Sequence, residues 1–416
     1  MRLIRSAASV AIALAALASC RADEHLTSPL PIDPMFRRYA ALGNSITAGF
    51  QSVGIDDSTQ IRAYPQLLAA AMRTTFVYPK LNGRGCPPPF TNNVTQTRVG
   101  GGTPTTCDLR VPTTGPLNSV AVPGNVVDNL LSNFGPPPSS FDPLKTFFLG
   151  GRTETELMTQ LQPTFVSLWI GNNDVLGALT SLTNPGDPAQ ITSPTLFAAQ
   201  YDSVLNLIQG TGAKAVLVSV ADVSVLPYAS RAAIYYCLKN GGCPAPLPPQ
   251  DPTFAAIPTF TVNVNCAPPG GLSVLVPWPI GLTKLETAIN GGAATIDCSV
   301  DNEVVTATEL DAMQSAVTAY NAHIASEATT RGYAFFDVNS PLGALVASGI
   351  IPSFPNVTPA LSGQSVDFGT IFSLDGVHPS SLAHRLLADS IASAINQKYG
   401  TGLPIPMCGT VNCPAP

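Results

Sequence analysis

An α/β fold built around a parallel sheet is predicted by three observations. Five short, nearly unbroken apolar runs punctuate the chain, segments of helical periodicity lie between them, and charged residues make up 11 % of 416 residues against 45 % hydrophobic ones. Strands that alternate with helices pair as parallel βα units, and strands covered on both faces lose the alternation of half-buried ones. So little charge excludes charge-driven disorder, and the length suffices for a substantial core. No fixed-period repeat or heptad run occurs, which rules out solenoids and coiled coils. The net charge of -6, with no dense basic stretch, argues against a nucleic-acid partner.

Residues 1–19 read as an export signal: Arg2 and Arg5 precede an apolar stretch, Ala7 to Ala18, that is too short to span a bilayer. The stretch ends in Leu17-Ala18-Ser19-Cys20, which resembles the bacterial lipobox and predicts a lipid on Cys20; cleavage after Ala18 is the alternative. Cysteine parity favours the lipobox, because nine Cys less Cys20 leaves an even set suited to disulfides in an oxidising compartment. The shortest loops pair Cys86 with Cys107, Cys237 with Cys243, Cys266 with Cys298 and Cys408 with Cys413. A zinc site is the rival reading, weakened by the lack of any C-x-x-C or of His at finger spacing. Residues 20–36 form a polar tether, so the chain is expected in the cell envelope, anchored to a membrane by its N-terminal lipid. Arg21 after Cys20 resembles lipoproteins passed on to an outer membrane, if the host is Gram-negative; a periplasmic or secreted protein is the alternative without lipidation.

The body, 37–400, then follows in order. Strands are expected at Arg37–Gly43, Ser119–Val122, Phe165–Ile170, Ala215–Val220 and Tyr333–Val338. Helices are expected at Tyr64–Thr75, Tyr201–Gln209 and Thr308–Arg331. A last helix, with Pro379 in its first turn, places Ala383, Leu387, Ile391 and Ile395 at i+4 spacing before Gly400. Residues 83–116 and 229–301 break the repeat and read as disulfide-stapled insertions, and 401–416 as a tail. Within the second insertion, Leu272 to Pro279 and Ile280-Gly281-Leu282 are candidates for an acyl-chain pocket or lid, with a satellite core under a disulfide as the alternative.

Ligands of open parallel sheets bind beyond the carboxyl ends of the strands, and three predicted strand ends carry unusual residues. Gly43-Asn44-Ser45 exposes a hydroxyl, Gly124 leaves its peptide N–H unobstructed, and Asn173 offers a neutral amide. Two N–H groups and an amide around a serine oxygen meet the needs of an oxyanion hole; Asn172 is the other candidate for the amide. Of four histidines, His25 falls in the tether, while His323 and His384 fall inside helices. His378 remains as the base, and Asp375, three residues earlier, is placed to orient its ring. Asp174 has the position of a helix N-cap.

Together these blocks resemble the SGNH, or GDSL, hydrolase family: Gly43-Asn44-Ser45-Ile46 with Thr47-Ala48-Gly49, then Asn118 to Gly124, Gly171-Asn172-Asn173-Asp174, and Asp375 to His378, all in the family's order. The resemblance implies a flavodoxin-like three-layer α/β/α sandwich and esterase, lipase or acylhydrolase activity on a small-molecule or lipid ester, without metal or organic cofactor. By position it implies Ser45 as nucleophile, His378 as base, Asp375 as its orienter, and Ser45 N–H, Gly124 N–H and Asn173 Nδ2 as oxyanion donors. Asn44 departs from the aspartate of the family's name, at a position outside the triad, and is expected to adjust the turn. Alternatives are a carbohydrate acetyl esterase or thioesterase of the same fold, a catalytically silent binding lipoprotein, and a disulfide-rich envelope protein.

Overall fold

Four parallel strands form the central sheet of the computed structural model, which describes residues 32–132 and 143–407. They are β1 (Tyr39–Gly43), β2 (Phe165–Trp169), β3 (Lys214–Val218) and β4 (Ala334–Phe336), bonded in that order. Every residue of β1 and β2 is buried, which explains their unbroken apolar character. The expected strand at Ser119–Val122 lies along the free edge of β1 without completing a ladder. Ala41 N–H donates to Asn118 O (2.8 Å), Val120 N–H to Ala41 O (3.0 Å) and Val122 N–H to Gly43 O (3.3 Å). Pro123 then has no N–H to continue it. With this segment included, the strands run second, first, third, fourth, fifth in chain order, the flavodoxin-like arrangement.

Helices cover both faces. On one, α2 (Tyr64–Met72) packs against α8 (Ser381–Tyr399), and Tyr399 donates its hydroxyl to Ala215 O at 2.7 Å. On the other, α3 (Glu154–Leu161) packs against α5 (Pro194–Gly210), which meets α6 (Ala307–Arg331) across a ring stack of Phe197 on Tyr320, centroids 4.0 Å apart. The result is a three-layer α/β/α sandwich. Three helix ends differ from expectation through their caps. The first stops at Met72 because Arg73 turns to φ 57°, and α8 starts at Ser381 because Ser380, not Pro379, caps it by accepting from Ala383 N–H (3.2 Å). Ser193 likewise starts α5 at Pro194, earlier than the apolar spacing suggests, by accepting from Leu196 N–H (3.4 Å).

Disulfides join Cys86 to Cys107, Cys237 to Cys243 and Cys266 to Cys298, as the shortest-loop pairing expects. The export segment, Cys20, most of the tether and the pair Cys408 and Cys413 lie outside the described residues. Among the described residues no helix is long and apolar enough to cross a membrane.

Of the stretch Leu272–Leu282, the residues Leu275, Val276, Trp278 and Leu282 join the main hydrophobic core, and none of the stretch lines the pocket around Ser45. Leu275 and Val276 are buried, and the Trp278 ring sits edge-on to Phe368 with centroids 5.4 Å apart. The stretch braces the loop that carries Asp375: Trp278 N–H donates to Tyr228 O (2.8 Å), and Tyr228 N–H to Gly376 O (3.1 Å).

Candidate active site

β1 delivers Ser45 through a turn that only glycine can begin. A Cβ on Gly43, whose φ is 155°, would stand 2.3 Å from Thr47 Oγ1 and 2.4 Å from Trp169 O. Asn44 then caps a single helical turn, α1 (Ser45–Ala48), its Oδ1 accepting from Ile46 N–H at 3.2 Å. This is the turn adjustment expected of Asn44.

His378 approaches from the loop before α8, its Nε2 2.9 Å from Ser45 Oγ and its Nδ1 2.8 Å from Asp375 Oδ2. The sequence separation of Ser45 and His378 thus closes into one hydrogen-bonded chain. Phe50 flanks the imidazole with ring centroids 4.9 Å apart. Asp375 is buried and heavily solvated by protein: Oδ2 also accepts from Val53 N–H (2.9 Å), while Oδ1 accepts from Ser373 Oγ (3.0 Å), Val377 N–H (2.9 Å) and His378 N–H (2.8 Å). Burial alone would raise its pKa; the charge of His378 and the hydrogen bonds from His378 and Val53 outweigh it and bring the carboxyl down to about 2. Val53 and Ser52 form the tip of a two-residue turn at φ 52° and 54°, a strained conformation for a β-branched residue, closed by bonds between Gln51 and Gly54. Ser52 N–H donates to Ser373 Oγ at 2.8 Å, so this turn and the acid loop hold each other. The sequence reading missed all three residues; a turn signal at Ser52-Val53 is absent because neither residue favours positive φ.

The opposite side of Ser45 is built on a buried acid that the sequence reading also missed. Asn173 Nδ2 donates to Asn125 O (2.9 Å), Asn125 Nδ2 donates to Glu154 Oε1 (2.6 Å), and Glu154 Oε2 accepts from Gly43 N–H (2.9 Å). One carboxyl on α3 therefore ties together the turn before Ser45, the residue after Gly124, and the Asn173 amide. Glu154 is fully buried, and burial pushes its pKa from 4.5 up to about 8 against the Gly43 and Asn125 donors and the charge of Lys145. Gly124 adopts φ 86° with nothing within 4 Å of where a Cβ would stand. Neither its N–H nor that of Ser45 makes a hydrogen bond within the described residues. Asn173 opens α4 (Asn173–Thr180), so Asp174 sits inside the first turn and is not the cap; its Oδ2 instead accepts from Val127 N–H at 3.0 Å, and burial raises its pKa to about 7. Asn172 holds the cap position, and its Oδ1 is buried without a partner among the described residues.

The other histidines stand apart from this chain. His384 is fully buried beneath Tyr64, its Nδ1 accepting from Tyr64 N–H (3.3 Å), and burial followed by repulsion from His378 lowers its pKa to about 3. His323 bonds Asp202 at 2.8 Å on the α5–α6 face. Among the described residues only Asp202, His323 and Glu327 gather three ligand-type atoms, within 4.8 Å of one another, and Arg331 already binds Glu327 at 2.8 Å. His25 lies outside the described residues.

A parallel α/β sandwich thus carries a serine just after β1 in hydrogen-bond contact with a histidine and an acid from the loop before α8. The model of the GDSL-like Lipase/Acylhydrolase family matches residues 39–391, and the chain belongs to that family, a hydrolase acting on ester bonds. Solved structures similar to it include a catalytic mutant of an acetylxylan esterase from Geobacillus stearothermophilus, at 13 % identity and TM-score 0.37, covering 88 % of this chain and 95 % of that one. Another is an alpha/beta hydrolase enzyme from the metagenome of Lake Arreo, Spain, at 12 % identity and TM-score 0.37, covering 86 % and 93 %. An acetyl xylan esterase at 14 % identity and TM-score 0.35 covers 86 % and 99 %. No curated protein matches the chain.

Proposed function

We propose that the protein is a serine esterase that works through an acyl-enzyme. Ser45 Oγ attacks the ester carbonyl as His378 Nε2 takes its proton; Asp375 holds the ring in the tautomer that leaves Nε2 free and stabilises the imidazolium that forms. The N–H groups of Ser45 and Gly124 and the Asn173 amide receive the oxyanion. His378 then protonates the leaving alcohol, and water, activated by the same imidazole, releases the acid. The observation that carries this reading is the unbroken chain Ser45 Oγ, His378 Nε2, His378 Nδ1, Asp375 Oδ2, with links of 2.9 and 2.8 Å. It favours catalysis over a silent binding role.

The test is hydrolysis of p-nitrophenyl acetate and butyrate by the chain from Arg21, alongside Ser45→Ala and His378→Ala. Each variant is expected to lose at least about a thousandfold in kcat. A serine-directed phosphonate should add its mass to the peptide containing Ser45 and to no other; full activity in Ser45→Ala would end the proposal.

The export reading belongs here as well: Arg2 and Arg5, the apolar run after them and the ninth Cys support a mature protein that begins at a lipidated Cys20 in the cell envelope. The intact mass of the protein recovered from membranes is expected to equal that of the chain from Cys20 plus its acyl groups; a mass starting at Ser19 would refute it.

A further inference from the structure

A cavity runs from Ser45 into the space between α7 (Asn339–Ala347) and α8. Its polar lining residues are concentrated at the catalytic end, in Asn44, Ser45, Asn172, Asn173 and His378. Beyond them the wall is made by Leu226, Leu342, Leu345, Leu386 and Leu387 with other apolar side chains. The distal polar exception, Ser390, already donates its hydroxyl to Leu386 O at 2.9 Å. Leu386 is 44 % exposed, so part of this wall on α8 also faces solvent.

We infer that this cavity is a chain-binding site, and that the ester cleaved here carries an aliphatic chain laid between α7 and α8. The argument is one of matching surfaces. A sugar in this channel would give up water around its hydroxyls and find leucine side chains in exchange, an uncompensated loss. A hydrocarbon chain gives up only apolar hydration, and each buried methylene favours binding by roughly two- to fourfold. The chain belongs to whichever side of the ester enters the channel, acyl or alcohol, and the chemistry of recognition is the same for both.

The inference rests on Ser45 being the nucleophile, and its test separates the two. One arm measures kcat/KM for p-nitrophenyl acetate, butyrate, octanoate and dodecanoate; the other follows acid release from ethyl, butyl and octyl acetate and from acetylated xylo-oligosaccharide. Ser45→Ala runs beside every measurement. A rise of roughly two- to fourfold per methylene in either arm is expected, and the arm that rises identifies the side of the ester held. Leu345→Trp, which fills the channel, is expected to bring the octanoate-to-acetate ratio (or octyl-to-ethyl) towards unity. If that variant does not fold, Leu342→Ala provides the opposite reading, a shift of the optimum to longer chains. Turnover that depends on Ser45 but is flat with chain length in both arms, or fastest on the acetylated oligosaccharide, overturns the chain-binding site and leaves the serine mechanism standing. Turnover that survives Ser45→Ala overturns both.

Discussion

The two sides of Ser45 rest on two buried carboxyls held in opposite ways. Asp375, behind His378, is surrounded by donors: three backbone N–H groups, the Ser373 hydroxyl and the imidazole all point at it, and its pKa settles at about 2. Glu154, behind the Gly124 and Asn173 side, has two donors and lies in the apolar interior, and its pKa settles at about 8. Burial is common to both, so the outcome is decided by what opposes it: the charge of His378 together with a full set of donors at Asp375, against fewer donors and the weaker influence of Lys145 at Glu154. A base that must become cationic during the reaction is backed by a permanent anion; a cradle that must stay neutral until the oxyanion forms is backed by an acid that is largely uncharged at neutral pH. The difference teaches that a carboxyl can be a charge or a strut according to its company.

Replacing the anion is the sharpest way to break this contrast. In Asp375→Asn the amide cannot accept on both sides: with its NH2 towards His378 Nδ1 it also meets the Val53 N–H and drives the ring to the wrong tautomer, and with its NH2 on the other side it meets the N–H groups of Val377 and His378. The expected loss in kcat is about 10³ to 10⁴, with KM little changed. The wild type should also lose stability as pH falls from about 4 through 2, because the folded carboxyl is lower than its ordinary 3.8 and resists protonation. Thermal unfolding of the two proteins across that window checks the sign: the variant should lack this part of the decline. Activity within tenfold of wild type would mean that Asp375 is only structural.

How much of this was legible before folding follows the same division. Ser45, Asp375 and His378 announce themselves because a small-residue turn after a strand and an Asp-x-x-His before a helix are local patterns. The strands were legible because burial on both faces leaves an unbroken apolar run, as in β2. Glu154 was not, because an acid in the first turn of a helix, after the cap Thr153, looks in sequence like any exposed residue favoured by the helix dipole. Its role comes from contacts with Gly43 and Asn125, which are distant in sequence. The chain-binding cavity was hidden for a related reason. Its walls are brought together from residues 221–226, 336–345 and 386–390, and each segment alone reads as ordinary core. The apolar stretch around Trp278 drew attention instead because its hydrophobic residues are consecutive, yet consecutive apolar residues report burial and not what they are buried against.

The strut can be tested by making it permanently neutral. Glu154→Gln keeps the volume but presents one N–H where two donors converge, so it loses the bond to Gly43 or to Asn125 and loosens the donors on that side. As a positioning residue, Glu154 should act on kcat and barely on KM, with a loss of roughly tenfold to a hundredfold, below that for deleting an oxyanion donor outright. Stability separates this from mere packing damage. The folded pKa of about 8 lies above the ordinary 4.5, so the folded state holds the extra proton, and the stabilising effect present below about 4.5 is lost as pH rises through 8. Glutamine does not titrate, so the variant should show a flatter fall in unfolding free energy over that range, although Asp174, raised to about 7, keeps a slope of the same sign in both proteins. Equal slopes in wild type and variant would mean that Glu154 is already ionised when folded. The two sides of Ser45 would then rest on the same kind of anion, and the contrast between charge and strut would collapse.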